Sequence, residues 1–208
     1  MYDATQTISH FLAATAAKQP APGGGSVTAL VGALAAAMGE MVVQYSLGKK
    51  SLEPFTEELT ATAAELLRAR QLMLELMVED QSAYEAFSSL RKLPPDDPER
   101  LKLWAPTLLA CISVPQAMAA AGVAILNLCD RMVNIVNPHL LSDLAVCADL
   151  AMATTRCALY NVRVNVKELA DVSDRQSIER TTLDLMGQAA RLIQHVAPRI
   201  WDRASRES

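Results

Sequence analysis

The stretch SVTALVGALAAAMGEMVVQYSL, residues 26–47, decides the fold because it is long, apolar and spaced like a helix. Its large apolar side chains recur every three or four residues, and they are Val27, Leu30, Val31, Leu34, Met38, Met41, Val42 and Tyr45. Another face of the same helix carries only small residues, namely Ala29, Gly32, Ala33, Ala36 and Gly39. A face of small residues lets a second helix backbone approach closely. The stretch therefore predicts a long, buried helix at the centre of a helical domain.

The same stretch is long enough to cross a membrane, for which about 20 apolar residues suffice. Against a membrane span, Glu40 and Gln44 lie inside it, Ala and Gly outnumber Leu and Ile, and we identify no second span. The N-terminus lacks the basic start and apolar run of a signal peptide. We therefore expect a cytoplasmic protein that does not bind membranes.

Around the central helix, the sequence indicates five more helical regions and almost no strand pattern. These regions are expected at about residues 5–18, 54–90, 97–134, 142–169 and 173–202, and the tail after 202 is expected to fray. No linker long enough to separate two domains is found. We predict that residues 1–208 form one all-α bundle of about six helical regions.

Several residues mark the ends of these regions. Asp97 followed by Pro98 predicts a helix start, because aspartate caps helices and proline suits the first helical position. Ser173, with a glutamine three residues later, predicts a capping box. Pro106 and Pro115 lie inside the fourth region and are expected to break or kink it.

Composition excludes several classes of protein. The formal net charge is -4 and the basic residues are scattered, so nucleic acid is not expected as a partner. The four cysteines form no C-x-x-C pair and are interpreted as buried free thiols: Cys111, Cys129, Cys147 and Cys157. The three histidines are far apart in sequence and do not have zinc-ligand spacing. No metal site is predicted.

Both ends of the central helix carry candidate site residues. Gly23, Gly24 and Gly25 precede Ser26, and backbone N–H groups at a helix start favour an anion or a polar ring edge. A flexible connector explains these glycines equally well, and the spacing is not that of a Walker loop. At the other end stand Lys49 and Lys50, which as partners of the helix dipole would need no further role.

Two later segments combine polar residues with apolar sequence. Asp80 lies on the same side of its helix as Tyr84 and Phe87, so we expect it beside a pocket, whereas Glu79 fits a solvated face. A carboxylate in such surroundings can have a pKa suited to proton transfer.

Further along, Asn137 begins a turn and Ser142 and Asp143 follow it, as at the start of a capped helix. Asn161 and Asn165, one turn apart, and Arg163 fit either a polar patch that lines a pocket or a solvated helix face.

Taken together in order, these segments resemble the cyclodeaminase/methenyltetrahydrofolate cyclohydrolase family. The family comprises the cyclodeaminase domain of formiminotransferase-cyclodeaminase and its stand-alone relatives. The resemblance covers about residues 5 to 200 and rests on the ordered set: Pro-x-Pro-Gly-Gly-Gly-Ser at 20–26, Gly-Lys-Lys at 48–50, Glu-Asp-x-x-Ala-Tyr at 79–84, Leu-Pro at 93–94, Val-Pro at 114–115, Asn-Pro-x-x-x-Ser-Asp at 137–143 and Asn-Val-Arg-x-Asn at 161–165.

The resemblance implies an all-α fold, a homodimer and a tetrahydrofolate derivative as substrate. By position it implies a pocket lined or supported by Gly23, Gly24, Gly25, Ser26, Lys49, Lys50, Asp80, Asn137, Ser142, Asp143, Asn161, Arg163 and Asn165. Two departures from the family pattern are His139, where an asparagine is usual, and the segment Ser51–Pro54, where a more basic continuation is usual.

The first functional hypothesis is hydrolysis of 5,10-methenyltetrahydrofolate to 10-formyltetrahydrofolate. The bridging carbon of that substrate is already electrophilic, so the reaction needs no metal and no cofactor. It needs a base, a carboxylate near the cation and a proton donor for the departing nitrogen. Asp80 or Asp143 is expected as the base or cation stabiliser and Lys49 as the donor, while Lys50 and Arg163 would hold anionic parts of the folate.

Two alternatives remain open at this stage. One is cyclodeamination of 5-formiminotetrahydrofolate with release of ammonia, which passes through a similar tetrahedral carbon. Bifunctional members of the family also carry a transferase domain that this sequence lacks, so the hydrolase reaction is expected first. The other alternative is a helical binding protein that kept the fold without the chemistry.

The position of the candidate residues also predicts how the site is assembled. A helix of about 22 residues is about 33 Å long, so one compact pocket does not easily use both of its ends. We therefore expect a pocket at a dimer interface, where Gly23–Ser26 of one chain approach Lys49 or Asp80 of the other.

Overall fold

The computed structural model describes residues 2–207, which form six α-helices and two short 3-10 helices and contain no β-strand. The helices are α1 (Ile8–Ala16), α2 (Gly24–Gln44), α3 (Thr56–Leu90), α4 (Pro98–Met132), α5 (Leu141–Val166) and α6 (Val172–Glu207). The 3-10 helices are Lys50–Phe55 and Pro138–Leu140. The prediction of an all-α bundle is confirmed.

Helix α2 lies between α3 and α5 and buries its small residues. A Cβ added to Gly32 would come within 2.7 Å of the Met73 side chain on α3, and one on Gly39 within 2.9 Å of Leu66. The absence of side chains at these positions is what allows α3 to pack so closely. The predicted central helix is therefore present, and the small face is the side that meets its neighbours.

The large apolar face of α2 is only partly covered within one chain. Leu34 is 50% exposed and Tyr45 is 62% exposed, although both belong to the regular apolar pattern. Val42 is fully buried, and the other large residues on this face are partly buried: Val27, Leu30, Val31, Met38 and Met41. An apolar stripe of this length on a helix surface is typical of an interaction face.

Helix α4 is continuous from Pro98 to Met132, so neither Pro106 nor Pro115 breaks it, and the expectation of a break is wrong. Proline has no N–H and leaves the carbonyl four residues earlier without its helical donor. For Pro115 that carbonyl belongs to Cys111, and the Asn165 side chain on α5 donates to it at 2.8 Å. The hydrogen bond from α5 supplies the missing donor and allows the helix to continue.

The ends of α6 differ from the sequence prediction. Asp171 caps this helix by accepting from the backbone N–H groups of Ser173 and Asp174, so the predicted capping box at Ser173 is wrong. The helix also continues to Glu207 instead of fraying after residue 202. Arg203 stabilises that extension by donating to the carbonyls of Val133 and Val136 at the end of α4. Ser208 lies outside the described residues.

Two helices meet the length and hydropathy criteria for a membrane span, so the expectation of a single candidate stretch is wrong. They are α2, with a mean hydropathy of 1.7, and α4, with 1.9. More than half of each apolar window is buried inside the bundle, at 56% and 61%. Core helices of a compact bundle meet the same criteria, and burial explains the apolar character of both.

The cysteines follow their predicted burial with one exception. Cys111, Cys129 and Cys147 are buried free thiols, whereas Cys157 is exposed on α5. The sulfur atoms of Cys129 and Cys147 lie 3.4 Å apart. In residues 2–207, no group of three His, Cys, Asp or Glu side chains is placed to hold a metal ion.

Candidate functional site

An open cavity of about 270 Å³ lies at the N-terminal end of α2, where this helix meets α3, α4 and α5. Its walls combine backbone from Gly23–Ser26, here called the glycine loop although Gly24 to Ser26 form the first turn of α2, with a few polar side chains and apolar patches. The lining residues are Pro20, Ala21, Gly23, Gly24, Gly25, Ser26, Asp80, Gln81, Ala83, Tyr84, Cys111, Val114, Asn161, Val164 and Asn165.

Asp80 is the central charged group of this cavity. The Ser26 hydroxyl donates to its Oδ2 at 3.2 Å, so the carboxylate sits against the first turn of α2. The first N–H groups of a helix have no partner within the helix and favour negative charge. Within the chain, the negative charge at this helix start comes from Asp80 on α3.

The environment of Asp80 adjusts its acidity. Burial raises the pKa of Asp80 above 3.8, and the hydrogen bonds from Ser26 oppose that rise. A higher pKa makes the ionised carboxylate a better proton acceptor. Nearby, burial and the charge of Asp80 raise the pKa of the Cys111 thiol to about 11, which keeps this sulfur protonated.

Gly25 allows Asp80 to reach this position. A Cβ added at Gly25 would overlap the Asp80 carboxylate group, meeting both oxygens and Cγ. A Cβ at Gly24 would make only an ordinary contact, 3.5 Å from the Asn161 side-chain oxygen. A side chain at position 25 would therefore collide with Asp80, whereas one at position 24 would fit.

We expect Gly25→Ala to lower turnover by roughly ten- to a hundredfold, because the added methyl group displaces the carboxylate from Ser26. Gly24→Ala is the matched comparison and is expected to have a clearly smaller effect. Steady-state rates of both variants, with circular dichroism to check the helical fold, measure the difference. Equal losses in the two variants would contradict the special role of Gly25.

The two asparagines on α5 both line the cavity but have different local roles. The Asn165 side-chain amide donates to the carbonyls of Cys111 and Asn161. The bond to Cys111 holds α4 and α5 together. Asn161 donates to the carbonyl of Cys157 and turns its side-chain oxygen toward Gly24. Asn161 consequently has a side-chain oxygen that can accept a hydrogen bond at the cavity.

A second group of candidate residues lies at the opposite end of α2. Lys49 and Lys50 are exposed there, after Gly48, which has a positive φ of 77° and turns the chain. Asn137 is buried, with its backbone N–H donating to Ser46 Oγ at 2.9 Å and its side chain toward the Tyr45 carbonyl. This asparagine fixes the loop before α5 to the end of α2.

Ser142 and Asp143 belong to the same end of the bundle, in the first turn of α5. Ser142 is exposed and lies inside the helix rather than at its cap, because α5 begins at Leu141. Asp143 occupies the first turn, as predicted, and is partly buried. Arg163 belongs to neither end group and faces a separate groove between α5 and α6.

The structure thus divides the predicted site residues between the two ends of α2, about 30 Å apart along the helix. Within one chain the glycine loop meets Asp80 directly, so the expectation that this loop approaches Asp80 of another chain is wrong. Lys49 remains at the far end and does not line the Asp80 cavity.

Three cavity residues with polar side-chain groups were not identified as site residues from the sequence. Cys111 was interpreted only as a buried thiol, and Tyr84 only as a marker of the face of Asp80. Gln81 is 1% exposed and pairs with Tyr2, accepting from its N–H and donating to its carbonyl, each at 2.7 Å. The sequence signal that could have identified Gln81 is its position directly after Asp80, on a buried side of the helix.

Comparison with known proteins gives matches over most of the chain. A family model described as formiminotransferase-cyclodeaminase matches residues 7–183. Methenyltetrahydrofolate cyclohydrolase from Methylorubrum extorquens is 29% identical over 189 residues, which cover 89% of each chain. Formimidoyltransferase-cyclodeaminase from Gallus gallus is 26% identical over 189 residues, and this chain spans 35% of its length.

The fold is also found in a solved structure. The crystal structure of formiminotetrahydrofolate cyclodeaminase from Thermotoga maritima superimposes with a TM-score of 0.80 over 96% of each chain. The sequence identity in that comparison is 24%. This likeness supports the helical architecture described above.

Proposed function

The chain belongs to the formiminotransferase-cyclodeaminase family, and from this premise we propose that it hydrolyses 5,10-methenyltetrahydrofolate to 10-formyltetrahydrofolate. The relatives it matches have names that point to folate one-carbon chemistry. The observation that carries the proposal is Asp80, a half-buried carboxylate with a raised pKa in the cavity at the glycine loop.

In this reaction a single carboxylate can both attract the cationic substrate and act as the base. The bridging carbon between the two folate nitrogens carries a delocalised positive charge, so the substrate is attracted to an ionised Asp80. Water adds to that carbon when a base removes its proton, and Asp80 is placed to accept it. The resulting tetrahedral carbon then loses its bond to one nitrogen, which must gain a proton as it departs.

Lys49 of a second subunit is our candidate for the proton donor. An ammonium group has the proton that the departing nitrogen must gain. Asp143 and Lys50 lie at the same end of α2 as Lys49, where they would orient the donor. Asn161 would accept a hydrogen bond from the pterin edge.

The match to the cyclohydrolase favours hydrolysis, since it covers 89% of both chains. Cyclodeamination of 5-formiminotetrahydrofolate is the second candidate, because relatives named for that activity match over a similar range. The same base and donor would serve it, with ammonia as the leaving group. The two reactions differ in which substrate is consumed and in whether ammonia appears.

One comparison of substrates distinguishes these reactions. Purified protein is given each folate separately, with loss of the near-ultraviolet absorbance of methenyltetrahydrofolate as one readout and released ammonia as the other. We expect faster loss of methenyltetrahydrofolate than in buffer alone, and no ammonia. Ammonia release from the formimino substrate would favour the second candidate, and turnover of neither would indicate a binding protein of the same fold.

We propose that the active form is a homodimer that packs along α2. The cavity at Asp80 is about 270 Å³, slightly below the range of roughly 300–1,000 Å³ typical of ligand pockets. A second copy would enlarge it and cover the half-exposed apolar stripe that contains Leu34 and Tyr45. Two-fold dimers use the same surface on both partners, so two α2 helices that cross about the axis can run antiparallel.

An antiparallel arrangement has a direct consequence for the site. The N-terminal end of α2 in one subunit would lie near the C-terminal end of α2 in the other. Asp80 and the glycine loop would then face Lys49 of the partner subunit. Each dimer would contain two such sites, and each site would use residues from both chains.

We expect light scattering to give twice the chain mass of 22.5 kDa at micromolar concentration. Leu34→Asp should shift the equilibrium toward monomer, because it places a charge in the centre of the apolar stripe. Leu101→Asp is the matched control, since Leu101 is 69% exposed on α4 and lies outside the stripe. A wild-type protein that is monomeric at this concentration would contradict the shared site.

A further inference from the structure

A groove of about 360 Å³ between α5 and α6 contains charged side chains without partners. Arg163 lies in the last turn of α5, Lys167 follows one turn later at the C-cap of this helix, and Glu179 lines the same groove from α6. Among residues 2–207, no hydrogen bond or ion pair engages any of these three side chains. The groove therefore presents two cations and one carboxylate to whatever enters it.

The floor of this groove holds an unusual hydroxyl. Thr182 is 5% exposed, and its Oγ1 is the one buried side-chain polar atom in residues 2–207 without a hydrogen-bond partner. The preceding Thr181 donates to the carbonyl four residues earlier, at 3.2 Å, which is the usual arrangement in a helix. A buried hydroxyl that is left unpaired is destabilising, and native proteins normally satisfy such groups with a protein atom, a water or a ligand.

The groove adjoins the candidate site. Val164 lines both the Asp80 cavity and the groove, and it is 70% exposed. A molecule bound beside Asp80 can therefore continue over Val164 toward Arg163 and Lys167 without passing through the protein. The two cavities are neighbouring parts of one surface.

We propose that this groove is a carboxylate subsite that binds the glutamate tail of the folate substrate. The assignment rests on the proposed function. Arg163 and Lys167 would bind the tail carboxylates, since charge-assisted hydrogen bonds are the strong ones in proteins. Glu179 would accept the amide N–H that links glutamate to the rest of the molecule, and Thr182 would donate to a carboxylate oxygen.

The charge pattern favours this ligand over a simple anion. A phosphate or sulfate ion offers only negative oxygens and would be repelled by Glu179. A glutamate linked through an amide offers both carboxylates and an N–H donor, so each of the unpartnered groups in the groove has a partner on it.

Calorimetric titration of the purified protein tests the proposal with two stable compounds, 5-formyltetrahydropteroate, which has no glutamate, and 5-formyltetrahydrofolate, which has one. In wild-type protein we expect the glutamate to increase affinity by at least about tenfold. Arg163→Gln and Lys167→Gln should each remove most of that gain. Arg156→Gln, an exposed arginine on the same helix outside both cavities, should keep it.

Thr182 gives a second readout that does not depend on turnover. Thr182→Val should raise the melting temperature of the free protein, because it removes the unpaired hydroxyl. It should also reduce the extra stabilisation that 5-formyltetrahydrofolate gives over the pteroate, whereas Thr182→Ser should retain that difference. A valine variant that keeps the full ligand-dependent difference would remove Thr182 from the subsite.

The same titration with a free γ-linked triglutamate peptide separates this proposal from the proposed function. A glutamate-dependent gain that is unchanged in Arg163→Gln and Lys167→Gln overturns the subsite while leaving folate binding intact. Binding of the free peptide through these two residues, with no binding of either folate compound, overturns both the proposed function and the assignment to a substrate tail. A gain that depends on both residues supports the proposal.

Discussion

Asp80→Asn is expected to lower the turnover of methenyltetrahydrofolate by at least about a hundredfold, the usual scale for removing a proton-transfer group. Asparagine has nearly the same shape and can still accept the hydrogen bond from Ser26, so the loss would report charge and basicity rather than packing. The adjacent Glu79 is exposed and provides the matched control. Glu79→Gln should retain wild-type activity, and full activity in Asp80→Asn would remove this carboxylate from the mechanism.

The pH dependence of the wild-type enzyme follows from the same group. Asp80 must be ionised to accept a proton, and burial raises its pKa above 3.8. Activity should therefore fall as the pH is lowered through that raised pKa, at a higher pH than for an exposed aspartate. The acidic limb of the kcat/KM profile measures this pKa. An apparent pKa at or below 3.8 would contradict the effect of burial.

The same variant should be more stable than wild type. A carboxyl whose pKa is raised in the folded state contributes stability below its unfolded pKa, and this contribution is lost as the pH rises through the folded value. Above the folded pKa the loss is complete, and the folded state bears the cost of an ionised, half-buried carboxylate. Thermal unfolding at pH 7 should show a higher melting temperature for Asp80→Asn, whereas a lower one would indicate that Asp80 serves the fold.

Lys49→Met is the second substitution expected to have a large effect, again at least about a hundredfold on turnover. Methionine keeps much of the apolar length of lysine but has no proton to donate and no charge. Lys49 is exposed in the single chain, so the substitution should not disturb the fold. The expected loss of turnover therefore depends entirely on the proposed shared site, in which Lys49 of one subunit faces Asp80 of the other.

Lys102→Met controls for the loss of one positive charge, since Lys102 is an exposed lysine on α4 outside both groups of site residues. This control should retain activity. Full activity in Lys49→Met would show that another group protonates the departing nitrogen. A rise in KM with unchanged kcat would instead indicate that Lys49 only binds substrate.

Sequence periodicity predicted much of the fold, and the exceptions have identifiable causes. The three- and four-residue spacing in residues 26–47 indicated α2, and the Asp97–Pro98 pair correctly marked the start of α4. The continuity of α4 at Pro115 was not predicted, because the missing donor is supplied by Asn165. This residue lies 54 positions from the carbonyl that it satisfies. A local pattern contains no information about a donor on another helix.

The candidate site shows the same division between local and distant information. Asp80 was identified from its apolar surroundings on one helix. Its contact with Gly25 and Ser26 could not be predicted, because it depends on how two helices 54 positions apart meet. Thr182 carries no sequence signal, since only the folded groove shows that its hydroxyl has no partner.

Mixing the Asp80→Asn and Lys49→Met proteins tests the shared site most directly, with hydrolysis of methenyltetrahydrofolate as the readout. In a hybrid dimer, one site would carry both substitutions and the other would carry neither. If exchange of subunits is random, half of the dimers are hybrids, and about a quarter of wild-type activity should return. Mass spectrometry of intact dimers confirms that exchange has occurred. Recovery near that level is the result we predict, and no recovery in the presence of proven hybrids would contradict a site built from two subunits.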